Sequence, residues 1–120
     1  MGQRRVVITG LGAVCALGND APTAWAAVKA GRSGASRVKR FDPSELACQI
    51  ACEVKGFDAD AIFGRDARKL DVFCQYGVVA ADEAMRDSGI DPAREDLDRC
   101  GVITGSGIGG LTELESQLRQ

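Results

Sequence analysis

Arg5-Val-Val-Ile-Thr-Gly-Leu-Gly-Ala-Val-Cys-Ala-Leu-Gly-Asn19 is the stretch on which the reading of the fold turns. Its first part, Arg5–Thr9, is a β-branched run that ends in Gly10, the pattern of a buried strand leaving through a tight turn. Glycines then recur at 10, 12 and 18, where a missing Cβ permits sharp turns and close approach to a neighbouring element. A strand such as Val6-Val-Ile8, apolar on both faces, expects strands on either side and helices above and below. The stretch therefore predicts an α/β protein whose first strand is central.

Moving outward, Asp20 is a helix N-cap with Pro22 in the first turn. Ala24, Trp25 and Val28 sit at helical spacing until Gly31 stops the helix. Arg32–Asp42 reads as an exposed basic connector. Cys48–Val54 alternates, with Ile50, Cys52 and Val54 on one face and Gln49, Ala51 and Glu53 on the other, and predicts a half-exposed strand. Asp66–Ser88 is the longest periodic segment. Its apolar stripe Leu70, Phe73, Cys74, Gly77, Val78, Ala81 and Met85 predicts one helix stopped by Gly89. Asp91-Pro92 starts a short helical turn, Gly101–Thr104 reads as a second buried strand, and Leu111–Gln120 begins another helix.

Composition narrows the function. The chain has 120 residues, 45% apolar and 27% charged, with aromatics at only 5%, so one modest core of Val, Ile, Leu and Ala is expected. Fifteen basic against 17 acidic residues give a net charge of −2, which argues against a general nucleic-acid binder. No apolar run approaches the roughly 20 residues that span a bilayer, and Met1–Arg5 has no signal-peptide pattern, so the cytoplasm is the expected location. Five cysteines, at 15, 48, 52, 74 and 100, are odd in number and read as thiols in a reducing compartment. Cys48 and Cys52 form the one close pair, and with no histidine in the chain they fall short of a zinc ligand set; no metal and no cofactor are expected.

Gly105-Ser-Gly-Ile-Gly-Gly110 fits the G-x-G-x-x-G pattern between a predicted strand and a predicted helix, the setting of a dinucleotide fingerprint. That reading stays open, although Gly10-Leu-Gly-Ala-Val-Cys15 fails at its third glycine and the acidic ribose partner would fall beyond Gln120. A P-loop is excluded because no G-K-[ST] occurs.

Three motifs together carry a family resemblance: Arg5–Asn19, Arg68-Lys-Leu-Asp-Val-Phe-Cys-Gln-Tyr76 with the alanine-rich helix after it, and Gly101-Val-Ile-Thr-Gly-Ser-Gly-Ile-Gly-Gly110. In this order and spacing the chain resembles the N-terminal part of a β-ketoacyl-[acyl-carrier-protein] synthase of type II. The resemblance implies a partial thiolase-like fold, the N-terminal portion of the first α/β half with a mixed sheet and helices, and assigns residues 1–120 to the opening of that domain. It implies a decarboxylating Claisen condensation in fatty acid or polyketide synthesis, with acyl and malonyl thioesters as substrates, acyl carrier protein as partner and a homodimer at full length. Membrane and nucleic-acid partners are not expected.

The same resemblance places the chemistry elsewhere. The family uses a thiolate activated at a helix N-terminus and two histidines that stabilise developing oxyanions. The chain has no histidine, and none of its cysteines stands in the family's nucleophile motif, so no catalytic residue is expected and the segment alone should be inactive. Two roles carry over: Ile108 as a wall of the acyl pocket, and Arg65, Arg68 and Lys69 as a basic patch that docks the acidic carrier protein. The three cations cluster at the start of the predicted helix, where the helix dipole disfavours positive charge. A non-catalytic assembly or binding piece of a synthase is the other class compatible with the missing histidines.

Overall fold

Asp20 starts the first helix through its carboxylate, which accepts the Thr23 backbone N–H at 2.7 Å and the Thr23 hydroxyl at 2.9 Å. In the computed structural model, which describes residues 3–119, this helix, α1, spans Ala21–Lys29 with Pro22 in its first turn. It ends where Gly31 turns left-handed (φ 64°), so that the Gly31 and Arg32 N–H groups reach back to the Val28 and Ala27 carbonyls. The basic connector then forms a two-residue strand β1, Ser36–Arg37, which pairs antiparallel with β2, Ile50–Ala51, in the register Ser36↔Ala51 and Arg37↔Ile50. A short helix α2 (Ala59–Phe63), capped by Asp58, leads into a 3₁₀ helix, Gly64–Lys69. The long helix α3 is Val72–Ser88, capped by Asp71 and stopped by left-handed Gly89 (φ 66°). Two 3₁₀ turns, Pro92–Arg94 and Leu97–Arg99, precede α4, Leu111–Leu118.

Four expectations are corrected. The single helix expected over Asp66–Ser88 is divided, because Leu70 and Asp71 adopt extended backbone and Asp71 Oδ1 accepts the Val72 N–H at 2.6 Å, opening a new helix. The strand expected over Cys48–Val54 is reduced to Ile50–Ala51. Ile50 and Cys52 are exposed, whereas Gln49, Ala51, Glu53 and Val54 are partly buried, with the Glu53 carboxylate accepting the Lys39 and Arg40 N–H groups.

The strands expected at Arg5–Thr9 and Gly101–Thr104 form no ladder among the described residues. Val6, Ile8, Val102 and Ile103 are 93%, 81%, 89% and 100% exposed. A central strand exists only through hydrogen bonds to its neighbours, and here the two runs meet neither each other nor a third strand. The structure is thus mostly helical with one two-stranded sheet, and the α/β architecture expected from the apolar runs is not assembled by residues 3–119.

The fourth correction concerns α3. The predicted stripe is largely outward, with Phe73, Gly77, Val78, Ala81 and Met85 exposed, and the opposite side, Gln75, Val79, Ala80, Glu83 and Ala84, is turned inward. That inward side receives the glycine segment. A Cβ at Gly10 would lie 2.6 Å from Ser88 N, and one at Gly12 would lie 2.9 Å from Ala84 N and 2.8 Å from the Ala80 carbonyl carbon. Backbone rests on backbone there, which no other residue type allows. Two carboxylates one helical turn apart secure the contact. Asp87 accepts the Leu11 N–H at 2.9 Å, and Glu83 accepts the Ala13 N–H at 2.9 Å with one oxygen and the Ala21 N–H at 2.8 Å with the other. Glu83 thereby joins the glycine segment, the first turn of α1 and α3.

The core is small, with Ala24, Ala27 and Ala67 its buried apolar residues and Trp25 and Val28 more than half exposed. The accessible surface is 10199 Å², against about 6,200 Å² for a compact monomer of this mass. The radius of gyration is 17.9 Å, against about 14 Å for a compact chain of this length. Apolar surface is exposed along the outward stripe of α3 and along the two unpaired runs. No helix among the described residues is long and apolar enough to cross a membrane.

Candidate functional site

The functional residues expected from the sequence fall at one end of α3. Arg65, Arg68 and Lys69 lie on the exposed side of the 3₁₀ helix Gly64–Lys69, whose inward residue is Ala67. Arg68 and Lys69 occupy its last turn, so the dipole argument reverses: the carbonyl end of a helix favours cations. Lys69 Nζ pairs with Asp66 Oδ1 at 2.6 Å, with both side chains largely exposed. Among the described residues, Arg65 and Arg68 form no ion pair and, with Asp60 and Gly64, line an open cleft of about 610 Å³.

Gln75 holds this basic element in place. It is 6% exposed, and its Nε2 donates to the Ala67 carbonyl at 2.8 Å and the Leu70 carbonyl at 2.9 Å. A buried amide with both donors used is a strong positional constraint. The next residue, Tyr76, stacks edge-on against Phe57 with ring centroids 4.8 Å apart, and its hydroxyl accepts from Arg40 Nη2 at 3.1 Å. The first turn of α3 therefore anchors both the 3₁₀ helix and the end of the basic connector. Sequence reading placed neither Gln75 nor Glu83, and no local signal marks either.

Ile108 sits in the turn Gly105–Gly110 and is 79% exposed. Gly109 and Gly110 are both left-handed, with φ of 57° and 63°, and Gly110 occupies the N-cap position of α4 without any side-chain cap. The turn reaches the start of α3, where Phe73 lies beside Gly109 and Gly110 and Asp71 beside Gly110. The Asp71 carboxylate oxygen not used for capping, Oδ2, is buried without a partner. Acyl-pocket and carrier-docking candidates thus flank the same five residues, Asp71–Gln75. No strand precedes the glycine turn among the described residues. The cysteines are all free, and Cys74 lies in the first turn of α3, three residues after the Asp71 cap and outside the family's nucleophile motif.

Residues 3–120 match the family model described as the beta-ketoacyl synthase N-terminal domain. The chain belongs to the beta-ketoacyl synthase family. Over 117 residues it is 43% identical to the 3-oxoacyl-[acyl-carrier-protein] synthase 2 of Vibrio cholerae, covering 97% of this chain and 28% of the relative. The corresponding synthase 2 of Coxiella burnetii is 45% identical over 116 residues, 96% of this chain and again 28% of the relative. Among solved structures, the ishigamide ketosynthase/chain length factor aligns with a TM-score of 0.66 at 34% identity, over 77% of this chain and 23% of the other. The chain thus spans about 28% of the length of the curated relatives it matches. Rows such as Val6–Ile8 and Val102–Ile103 are exposed in a segment whose relatives are several times longer.

Proposed function

We propose that the chain serves as the opening portion of a β-ketoacyl-[acyl-carrier-protein] synthase, which condenses an enzyme-bound acyl group with malonyl-carrier protein as CO₂ leaves. The observation that carries this reading is the family match across residues 3–120, supported by relatives named as 3-oxoacyl-[acyl-carrier-protein] synthases. In this role the thiolase-like mixed sheet forms when Val6–Ile8 and Gly101–Thr104 gain ladder partners from the remainder of the synthase. The segment contributes recognition: Arg65 and Arg68, without an ion pair among the described residues and lining an open cleft, and Lys69 beside them meet the acidic carrier protein, and Ile108 limits the acyl tail. Nucleophile and oxyanion donors are supplied outside these residues, consistent with a chain that has no histidine.

The test compares two proteins given acyl- and malonyl-carrier protein. One is the 120-residue chain itself. The other is a hybrid synthase in which residues 3–119 replace the matched stretch of the Vibrio cholerae relative. CO₂ release is expected from the hybrid and not from the chain alone. Turnover by the chain that survived alanine replacement of each of its five cysteines in turn would overturn the assignment of catalysis elsewhere, and a folded, dimeric hybrid that bound carrier protein without condensing would favour a non-catalytic assembly role.

A further inference from the structure

The turn that carries Ile108 stands on an aromatic ring. A Cβ at Gly109 would lie 3.1 Å from both Cε2 and Cζ of Phe73 and 2.6 Å from Ser106 Oγ; one at Gly110 would lie 3.7 Å from Phe73 Cε1 and 3.5 Å from Asp71 Oδ2. The ring therefore packs tightly under Gly109, where a Cβ would crowd it, and in ordinary contact under Gly110. Phe73 is itself held firmly, since it lies in the first turn of α3 between the Asp71 cap and the buried Gln75 amide. Ile108 is joined to Gly109 by one planar peptide, so displacement of the Gly109 backbone moves the Ile108 side chain with it. Phe73 is 43% exposed and sits on the outward stripe of α3, where no buried core accounts for it.

We propose that Phe73 is a positioning residue for acyl chain length: its ring props Gly109–Gly110, and through them sets how far Ile108 reaches into the acyl pocket. The inference rests on the reading of Ile108 as a pocket wall. Removing the ring opens space under the turn, which then settles toward α3 and withdraws Ile108, so longer acyl chains fit. Adding a methyl at Gly109 acts in the opposite sense, because the new Cβ meets Ser106 Oγ and the ring together and lifts the turn away from α3.

The experiment measures, in the hybrid synthase, the ratio of kcat/KM for a long over a short acyl primer. Phe73→Ala is expected to raise that ratio about tenfold, a scale set by what a few methylenes contribute in an apolar pocket, and Phe73→Leu should restore most of the original value. Gly109→Ala should lower the ratio. In an Ile108→Ala background Phe73→Ala should change nothing further, because the side chain it moves is gone. A role in folding alone would depress both primers equally and persist in that background. An unchanged ratio in Phe73→Ala or Gly109→Ala, or an equal shift with and without Ile108, overturns the positioning role. Ile108→Phe separates the two levels of the argument. If it fails to shorten the longest primer accepted, the pocket reading falls and takes this inference with it; if it shortens that primer while the Phe73 and Gly109 variants leave the ratio alone, the positioning role alone is refuted.

Discussion

Replacing Glu83 with Gln removes one acceptor from a junction that needs two. The carboxylate takes the Ala13 N–H at 2.9 Å and the Ala21 N–H at 2.8 Å on separate oxygens, in a partly buried setting. A glutamine of the same shape has a single carbonyl oxygen, so one N–H keeps a neutral bond and the other faces an NH₂ group. Hydrogen bonds to a charged acceptor contribute about 1.5–3 kcal/mol each and a neutral bond about 1 kcal/mol. The loss of two charged bonds, offset by one neutral bond and moderated by partial exposure, comes to about 2–3 kcal/mol. At about 1.4 kcal/mol per tenfold, amide hydrogen exchange in the stretch Leu11–Ala21 should accelerate roughly 30- to 150-fold, read by mass spectrometry on the hybrid synthase. The neighbouring Asp82→Asn is the control: it breaks the ion pair with Arg86 at 2.7 Å, whose side chains are 73% and 65% exposed, and an exposed pair contributes at most about 1 kcal/mol. If Glu83→Gln accelerates exchange in this stretch no more than Asp82→Asn does, Glu83 does not hold the junction and the reasoning fails.

Gly12→Ala drives a methyl group into the backbone of α3 at Ala80 and Ala84; overpacking of this kind costs about 1–3 kcal/mol, so the melting temperature should fall and the Leu11 amide, bonded to Asp87, should lose exchange protection. The Asp20 carboxyl is held below its ordinary value of 3.8, first by the Thr23 backbone N–H and then by the Thr23 hydroxyl. Its contribution is therefore complete above that value and lost as pH falls through the lower folded-state value, so the protection of the Thr23 amide, measured against the unstructured rate at the same pH, should hold down to pH 3.8 and approach that of Asp20→Ala only as pH drops through the folded-state value. Replacing Arg65, Arg68 and Lys69 together with Glu in the hybrid should raise KM for carrier-bound substrate, flatten its salt dependence and leave a small thioester mimic unaffected; equal loss with both substrates would refute docking. Because Lys69 is already paired with Asp66, Lys69→Glu alone should raise KM less than Arg65→Glu or Arg68→Glu.

The candidate site was legible in the sequence as residue types and illegible as an arrangement. Ile108, Arg65, Arg68 and Lys69 could be named from motifs, yet nothing local shows that one helical turn underlies both groups. Gln75 was unmarked because a glutamine inside a helix ordinarily faces water, and its burial depends on two carbonyls, of Ala67 and Leu70, that exist only once the 3₁₀ helix folds back. Glu83 and Asp87 were unmarked for the same reason: their partners, Leu11, Ala13 and Ala21, lie more than 60 residues earlier in the chain.

What the sequence determined by itself is what short-range chemistry governs. Asp20 with Pro22, Gly31, Gly89 and Asp91 with Pro92 each mark a helix boundary that the structure shows, because a cap or a left-handed glycine acts within a few residues of its own position. Tertiary structure alone decided which side of α3 is inward, since both sides carry small or apolar residues and the close approach of Gly10 and Gly12 selects the side bearing Ala80 and Ala84. It also decided the fate of the apolar runs at Val6–Ile8 and Val102–Ile103. A helix closes its own hydrogen bonds, so α1 and α3 form within these residues; a central strand borrows every one of its bonds from neighbours, and where no neighbour is reached the most apolar stretches of the chain are also its most exposed.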